Sequence, residues 1–514
     1  MHTNTFKRIL ALALAGLMTV TALACSKSGD DTPDATTTAS TTATTDATTT
    51  STETTAATTK YIDDLPEDLT YEGKKVSFLY REEIAGEFWS ENINGDIAND
   101  AIYDSIMEVE ERFGVDIQAT LRKGHTTNVR TEYMDHIDNQ ILAGEPAYDW
   151  VDQMIGKAPT RMQTGNFVNL LNLQNLDLSK PWYIPNMEET AAINGRLYFL
   201  SGDSSLGYLK CAFCYYYNKD VGEEYNIEDL DAVVRAGKWT IEKVKQIATQ
   251  TSADLNNDGK WTIDDRLGFV CHDNNHYRGY TSSMKMALFS KQADGSMKYT
   301  FGGDRDHAAI TALSELQNNT AGVYYFDGSS ATASKLAAYQ DVADKFSGGS
   351  IFIITAEMGN VIDCGYHTME DTYGVLPYPK FDEEQENYYT NSRSTHNAFM
   401  MPTTCVDPEM AATVMEALSA TKYQKVFPAY YEVVLKTKYA ADTETSEMFD
   451  IIHDSMVLEF GLIYDDALGY YPMNIVKKTI ANIGSFSSLI KAESKIIEKT
   501  YDKMISMIET HCTD

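Results

Sequence analysis

Between residues 74 and 151, short apolar runs alternate with amphipathic stretches, and this alternation constrains the fold more than any bulk property of the chain. Lys74-Lys-Val76-Ser-Phe78-Leu79-Tyr80 reads as a strand. In 97–113 (IANDAIYDSIMEVEERF), Ile102, Ile106, Val109 and Phe113 recur at helical spacing, and Gly114 ends the helix. Val115-Asp-Ile117 opens a second strand, 129–142 forms a second helix, and 148–151 starts a third strand. Strand–helix–strand–helix–strand predicts a parallel sheet covered by helices. Ligands of such sheets sit beyond the carboxyl ends of the strands. The loop after the first strand, with Arg81, Glu82 and Trp89, is therefore a candidate wall of a binding site.

A second constraint lies at 254–265, Asp-Leu-Asn-Asn-Asp-Gly-Lys-Trp-Thr-Ile-Asp-Asp. Asp254, Asn256 and Asp258 place oxygen side chains at loop positions one, three and five. Gly259 follows at six, Lys260 offers its carbonyl at seven, and Asp265 closes position twelve. Hard oxygen donors suit calcium. Asp265 stands where an EF-hand has Glu, so its shorter side chain reaches an ion less easily. An Asx-rich turn without an ion is the alternative. A single loop behind a helix at 240–250 reads as a structural clip, with calcium as the expected cofactor.

Several motifs around this loop resemble the extracellular solute-binding proteins of sugar-type ABC importers. They are Tyr217-Asn218-Lys219-Asp220 after an apolar strand, Gly237-Lys238-Trp239-Thr240 at a helix start, and Gly268-Phe269 after the calcium-type loop. Upstream stand Lys180-Pro181-Trp182, Gly195-Arg196-Leu197-Tyr198 and Gly202-Asp203. Downstream come Gly348-Gly349-Ser350 before an apolar strand and Gly374-Val-Leu376-Pro377-Tyr378-Pro379-Lys380-Phe-Asp382-Glu383. The resemblance covers residues 71–514. It implies a two-lobe, periplasmic-binding-protein-like α/β fold, each lobe a sheet flanked by helices, with the ligand cleft between them. One lobe would comprise 71–208 with 392–445, the other 209–391 with 446–514. It further implies capture of a carbohydrate, an oligosaccharide on the length of the chain, and delivery to the importer's permease subunits. Hinged closure of the lobes would bury the ligand.

A sugar presents hydroxyls around a ring and one apolar face, so its site needs hydrogen-bonding side chains and aromatic plates. Trp89 and Tyr280 are the expected plates, and Arg81, Glu82, Asp203, Glu357 and Arg393 the expected hydrogen-bonding groups. Trp239 and Trp261 are assigned to packing.

The N-terminus reads as an export signal. Lys7 and Arg8 precede an apolar run at 9–24 that is shorter than the roughly 18–20 residues of a membrane span. Ala22-Leu23-Ala24-Cys25 resembles a lipobox, which makes Cys25 the expected lipidation site. Two acyl chains anchor a protein stably where one does not. Residues 26–59 are almost wholly Thr, Ala, Ser and Asp and cannot bury a core, so they are read as a flexible tether from 25 to 60. The expected location is the extracellular face of the cell membrane.

A formal net charge of −33 argues against a nucleic-acid partner, which demands clustered Lys and Arg. Cys211-Ala-Phe-Cys214 has redox spacing. Inside LKCAFCYYY, read as a strand, the two thiols point to opposite faces and are assigned to burial. A glycan-active enzyme would need two carboxylates flanking a bond, which 75 acidic residues neither show nor exclude. That enzyme, and a binding protein for peptides or other small solutes, are the alternatives.

Overall fold

The structure, a computed structural model, describes residues 61–272, 275–325 and 333–512, with the backbone alone for 333–339. The export signal, the Thr-rich stretch and Cys25 lie outside the described residues.

The strands in chain order are β1 (Lys74–Arg81), β2 (Val115–Arg122), β3 (Trp150–Met154), β4 (Phe213–Asn218), β5 (Leu267–Cys271) and β6 (Phe289–Lys291). They continue with β7 (Met297–Tyr299), β8 (Val323–Tyr325), β9 (Ile351–Glu357), β10 (Tyr373–Leu376) and β11 (Asn397–Met400). They form two main sheets and one hairpin, β6–β7.

The first sheet has the order β11-β3-β1-β2. Its three N-terminal strands are parallel, with Val76 opposite Ile117 and Phe78 opposite Trp150. β3 is buried along its whole length, as expected of a strand covered on both faces. Helix Ile97–Phe113 starts where the Asp96 carboxylate accepts from Asn99 N and stops at Gly114, whose φ of 59° is left-handed. Its Ile102, Ile106, Val109 and Phe113 face is fully buried, at roughly 1.5–3 kcal/mol per side chain. Helix Pro408–Pro428 packs on that helix, and Trp150 Nε1 donates to the Ala411 carbonyl at 2.9 Å.

The second sheet has the order β10-β4-β9-β5-β8 and is mixed. β4 lies antiparallel to β9 and β10, whereas β5 runs parallel to β8 and β9. Helix Ile241–Gln250, capped by Thr240, presses Val244, Ile247 and Ala248 against it. At Gly268 a Cβ would sit 1.9 Å from the Ala248 carbonyl, so only glycine allows this approach. Trp239 is fully buried and donates to the Pro377 carbonyl at 2.8 Å.

The chain passes between the sheets at 200–213, at 390–397 and again after helix Pro408–Pro428, because helix Thr443–Asp454 packs on β10. Helix Tyr471–Ala481 packs on Asp304–Asn319 beside the second sheet. The last helix, Phe486–His511, starts there and ends against the first lobe, where Cys512 Sγ donates to the Met162 carbonyl at 2.9 Å. LKCAFCYYY is not one continuous strand. Gly207–Lys210 is a helical turn, Cys211 caps it, and the strand begins at Phe213. Cys211 is half-buried rather than buried, and both thiols are free. No described helix is long and apolar enough to cross a membrane.

Candidate functional site

Beyond the carboxyl ends of β1 and β3, facing the second lobe, lies a cavity of about 170 Å³. The first lobe contributes Arg130, Met154, Gly156 and Lys157, and the 390–397 crossing contributes Arg393, Ser394 and Thr395. Asn275 and Arg278, past the end of β5, form the opposite wall, and Leu462, Asp465, Asp466 and Tyr470 line the rest.

A buried ion pair fixes the floor. Arg81 grips Asp152 with Nε at 2.7 Å and Nη2 at 3.0 Å, and both side chains are enclosed. Its Nη1 lies 3.2 Å from His125 Nδ1 and 3.3 Å from the Thr395 carbonyl. A guanidinium can only donate, so Nδ1 accepts and the imidazole proton sits on Nε2. Burial and the Arg81 charge pull His125 down to about 4, which keeps the ring neutral.

Around the rest of the cavity runs another chain of charges. Arg393 Nη1 lies 2.6 Å from Glu357 Oε1, and His276 Nε2 lies 3.5 Å from the same oxygen. Burial alone would raise the Glu357 carboxyl, but Arg393 and His276 overcome it and hold it at about 2. Arg278 reaches Asp465 at 2.8 Å. Lys157 Nζ meets both Asp466 Oδ1 and the Tyr470 hydroxyl at 2.5 Å. The site is thus a ring of charge-assisted hydrogen bonds with one aromatic ring at its edge, suited to orienting a polar ligand.

Of the residues expected from sequence, Arg393 lines this cavity and Glu357 stands one bond behind it. Arg81 lies deeper, with its fork committed to Asp152. Glu82 is exposed beside the floor. Trp89 is not among the lining residues, and its ring leans on Tyr80 at 6.1 Å between centroids. Asp203 lines a different cavity, of about 540 Å³, among Tyr183, Tyr208, Tyr423, Phe427 and His453. Burial pushes its carboxyl up to about 8. Tyr280 is fully enclosed, its hydroxyl 2.5 Å from that of Tyr215 and its ring against Tyr378. A ring so enclosed packs the lobe core and offers no face to a ligand, which corrects its expected role as a plate.

Sequence reasoning missed Arg130, Lys157, Arg278, Asp465, Asp466 and Tyr470. The strand-end rule that singled out the loop after β1 applies equally to the loop after β3, and would have found Gly156 and Lys157. Tyr470 carried no such signal. It has φ 61°, a left-handed conformation uncommon for a non-glycine residue, and it is 42% exposed.

The calcium-type loop folds back on itself in the second lobe. Asp254 accepts from Asn257 N and Gly259 N, at 2.7 and 2.8 Å. Asn256 and Asp258 accept from Asp258 N and Lys260 N, each at 2.8 Å. Asp265 accepts from Leu255 N and Thr262 N, which lowers its pKa. Gly259 takes φ 77°, and Ala253 pairs with Arg266 across the loop base. Each of these oxygens keeps a lone pair beyond its turn bond, and hard oxygen donors are the type calcium takes. Among the described residues no three His, Cys, Asp or Glu side chains converge closely enough to form a ligand set.

No protein-family model matches the chain, and no curated protein matches its sequence. Solved structures do match. A cyclic alpha-maltosyl-1,6-maltose binding protein from Arthrobacter globiformis aligns with a TM-score of 0.55 at 12% identity, over 84% of this chain and 100% of that one. The galacto-N-biose-/lacto-N-biose I-binding protein of an ABC transporter from Bifidobacterium longum gives 0.54 at 10% identity, over 84% and 98%. The maltose-binding periplasmic protein of Listeria monocytogenes gives 0.52 at 13% identity, over 86% and 98%. At these identities the likeness establishes the fold, the two-lobe α/β architecture of such binding proteins.

Proposed function

We propose that the chain is the membrane-anchored extracellular substrate-binding protein of an ABC importer, and that it captures a carbohydrate between its lobes. The observation that carries this reading is the charged cavity at the carboxyl ends of β1 and β3, walled by both lobes and by the 390–397 crossing. The solved structures of the same architecture described above are sugar-binding proteins, which supports the ligand class. Cys25 would carry the lipid anchor, calcium would be held by Asp254, Asn256, Asp258, the Lys260 carbonyl and Asp265, and permease subunits would receive the ligand. A cavity of about 170 Å³ falls below the roughly 300–1,000 Å³ of drug-sized sites. It suits a single sugar ring, so an oligosaccharide requires the lobes to stand further apart.

The test is thermal melting of the purified full chain against monosaccharides, oligosaccharides and peptides. A ligand at 100 times its Kd adds about 2.7 kcal/mol and raises Tm by several degrees. A rise with sugars that are recovered intact is expected. A rise with peptides alone, or cleavage of the bound sugar, overturns the proposal.

A further inference from the structure

Among the described residues, the charges around the cavity are paired one by one except at Arg130. Lys157 is taken by Asp466 at 2.5 Å and Arg278 by Asp465 at 2.8 Å, while Arg393 is taken by Glu357 at 2.6 Å. Arg130 has no carboxylate partner among the described residues. Its Nη2 donates to a neutral acceptor, the His125 carbonyl, at 2.7 Å, and its Nε is buried without a partner. Burial and the neighbouring Arg81 disfavour its charge, whereas Asp466 and Tyr470 support it only from a distance.

The surroundings of Arg130 reinforce the surplus. It lies in the first turn of helix Thr127–Leu142, which holds no acidic side chain, and Thr126 gives no side-chain cap. The nearby Glu83 carboxylate is taken by the backbone N–H groups of Gly124 and His125 and makes no bond to this guanidinium. The carboxylates of the walls already accept from cations, so the free capacity of the site is for accepting groups of a ligand.

We infer that the ligand of this cavity is a sugar unit bearing a single negative charge, a uronate carboxylate or a sulfate ester, whose anionic group is received by Arg130. The inference rests on the proposed role of the cavity as a carbohydrate site. One charge matches the one guanidinium that lacks a carboxylate partner among the described residues. A dianionic phosphate would bring a second charge towards Asp465, Asp466 and Glu357. A guanidinium also fits a planar carboxylate through two parallel bonds.

The experiment is calorimetric titration of the full chain with D-galacturonate, D-glucuronate and galactose 6-sulfate, set against D-galactose and D-glucose, for the native protein and for Arg130→Gln. The native protein is expected to prefer an anionic sugar over its neutral counterpart by about 10- to 100-fold, the range of a hydrogen bond to a charged group. Arg130→Gln should remove most of that preference. Comparing uronates with the sulfate separates the two anions. Neutral sugars binding as tightly as anionic ones would overturn the inference and leave the carbohydrate site standing. So would an anion preference that survives Arg130→Gln. No binding by any of the five sugars would overturn the carbohydrate site and this inference together.

Discussion

Lys157, in the loop after β3, and Asp466, in the segment leading to helix Tyr471–Ala481, meet at 2.5 Å across the cavity. Thr160 adds a second bond to Asp466 from the first lobe. Asp465 next door is tied to Arg278 of the second lobe. Two adjacent carboxylates therefore bond to opposite lobes: Lys157–Asp466 secures to the first lobe, in whose core Tyr464 and Leu468 pack, the segment that Asp465 ties to Arg278 of the second.

Breaking this pair should loosen the closed arrangement more than it unfolds the protein. The side chains are 22% and 11% exposed, so water partly replaces the lost contact and the stability cost is about 1–2 kcal/mol, below that of a fully buried pair. Lys157→Met is expected to raise the dissociation rate of a bound sugar about tenfold with little change in association. Stopped-flow fluorescence checks this. An unchanged dissociation rate would show that the pair does not restrain opening.

Tyr470 should show opposite effects on stability and binding. Its backbone at φ 61° costs of order 1 kcal/mol in a non-glycine residue, which glycine would not incur. Its ring stands at the cavity rim with the hydroxyl 2.5 Å from Lys157. Tyr470→Gly should leave the urea midpoint equal or higher while sugar affinity falls about tenfold or more, through loss of ring contact and of one hydrogen bond. A fall in both would mean that the ring serves packing.

Lys422 should give stability a pH dependence. It is 2% exposed in helix Pro408–Pro428, and its Nζ donates to the carbonyls of Phe88 and Ser204, at 2.8 and 3.0 Å. Burial lowers its pKa from 10.5 to about 7. Between these values the unfolded chain binds a proton that the native chain has shed, so stability rises with pH across that window. The slope from this group is at most about 1.4 kcal/mol per pH unit. Denaturant midpoints between pH 7 and 9 should climb more steeply in the native protein than in Lys422→Met. Equal slopes would count against the neutral lysine.

The elements that carry strong periodicity were legible before any coordinates. Ile97–Phe113 has the expected limits because Asp96, Gly114 and a four-residue apolar stripe all specify them locally. The helix expected at 129–142 begins two residues earlier, and the third strand, expected to start within 148–151, runs from Trp150 to Met154. The candidate site was less legible. Only Arg393 of the expected hydrogen-bonding groups reaches the cavity wall, because whether an Arg or Glu lines a cleft depends on pairings such as Arg81–Asp152, 71 residues apart. Tyr280 illustrates the same limit. An aromatic residue after a polar loop suits a plate or a core equally, and its partners Tyr215 and Tyr378 come from distant segments of the chain.

The loop at 254–265 gives the last prediction. Its side chains already accept from backbone N–H groups of the loop, so the chain path does not depend on an ion. A cation held by these hard oxygen donors would offset the negative charges of Asp254, Asp258 and Asp265. Calcium that binds the folded loop and not the unfolded chain adds about 2.7 kcal/mol at 100 times its Kd. Melting of the full chain should thus shift upward by several degrees in calcium relative to chelator, and magnesium should do less because it demands a tighter octahedral shell. Asp254→Asn should remove most of the shift, because it deletes a charge and keeps the turn-forming oxygen. Equal melting temperatures in calcium and chelator would leave the segment as a self-contained Asx turn, with Gly259 at φ 77° required by the turn alone.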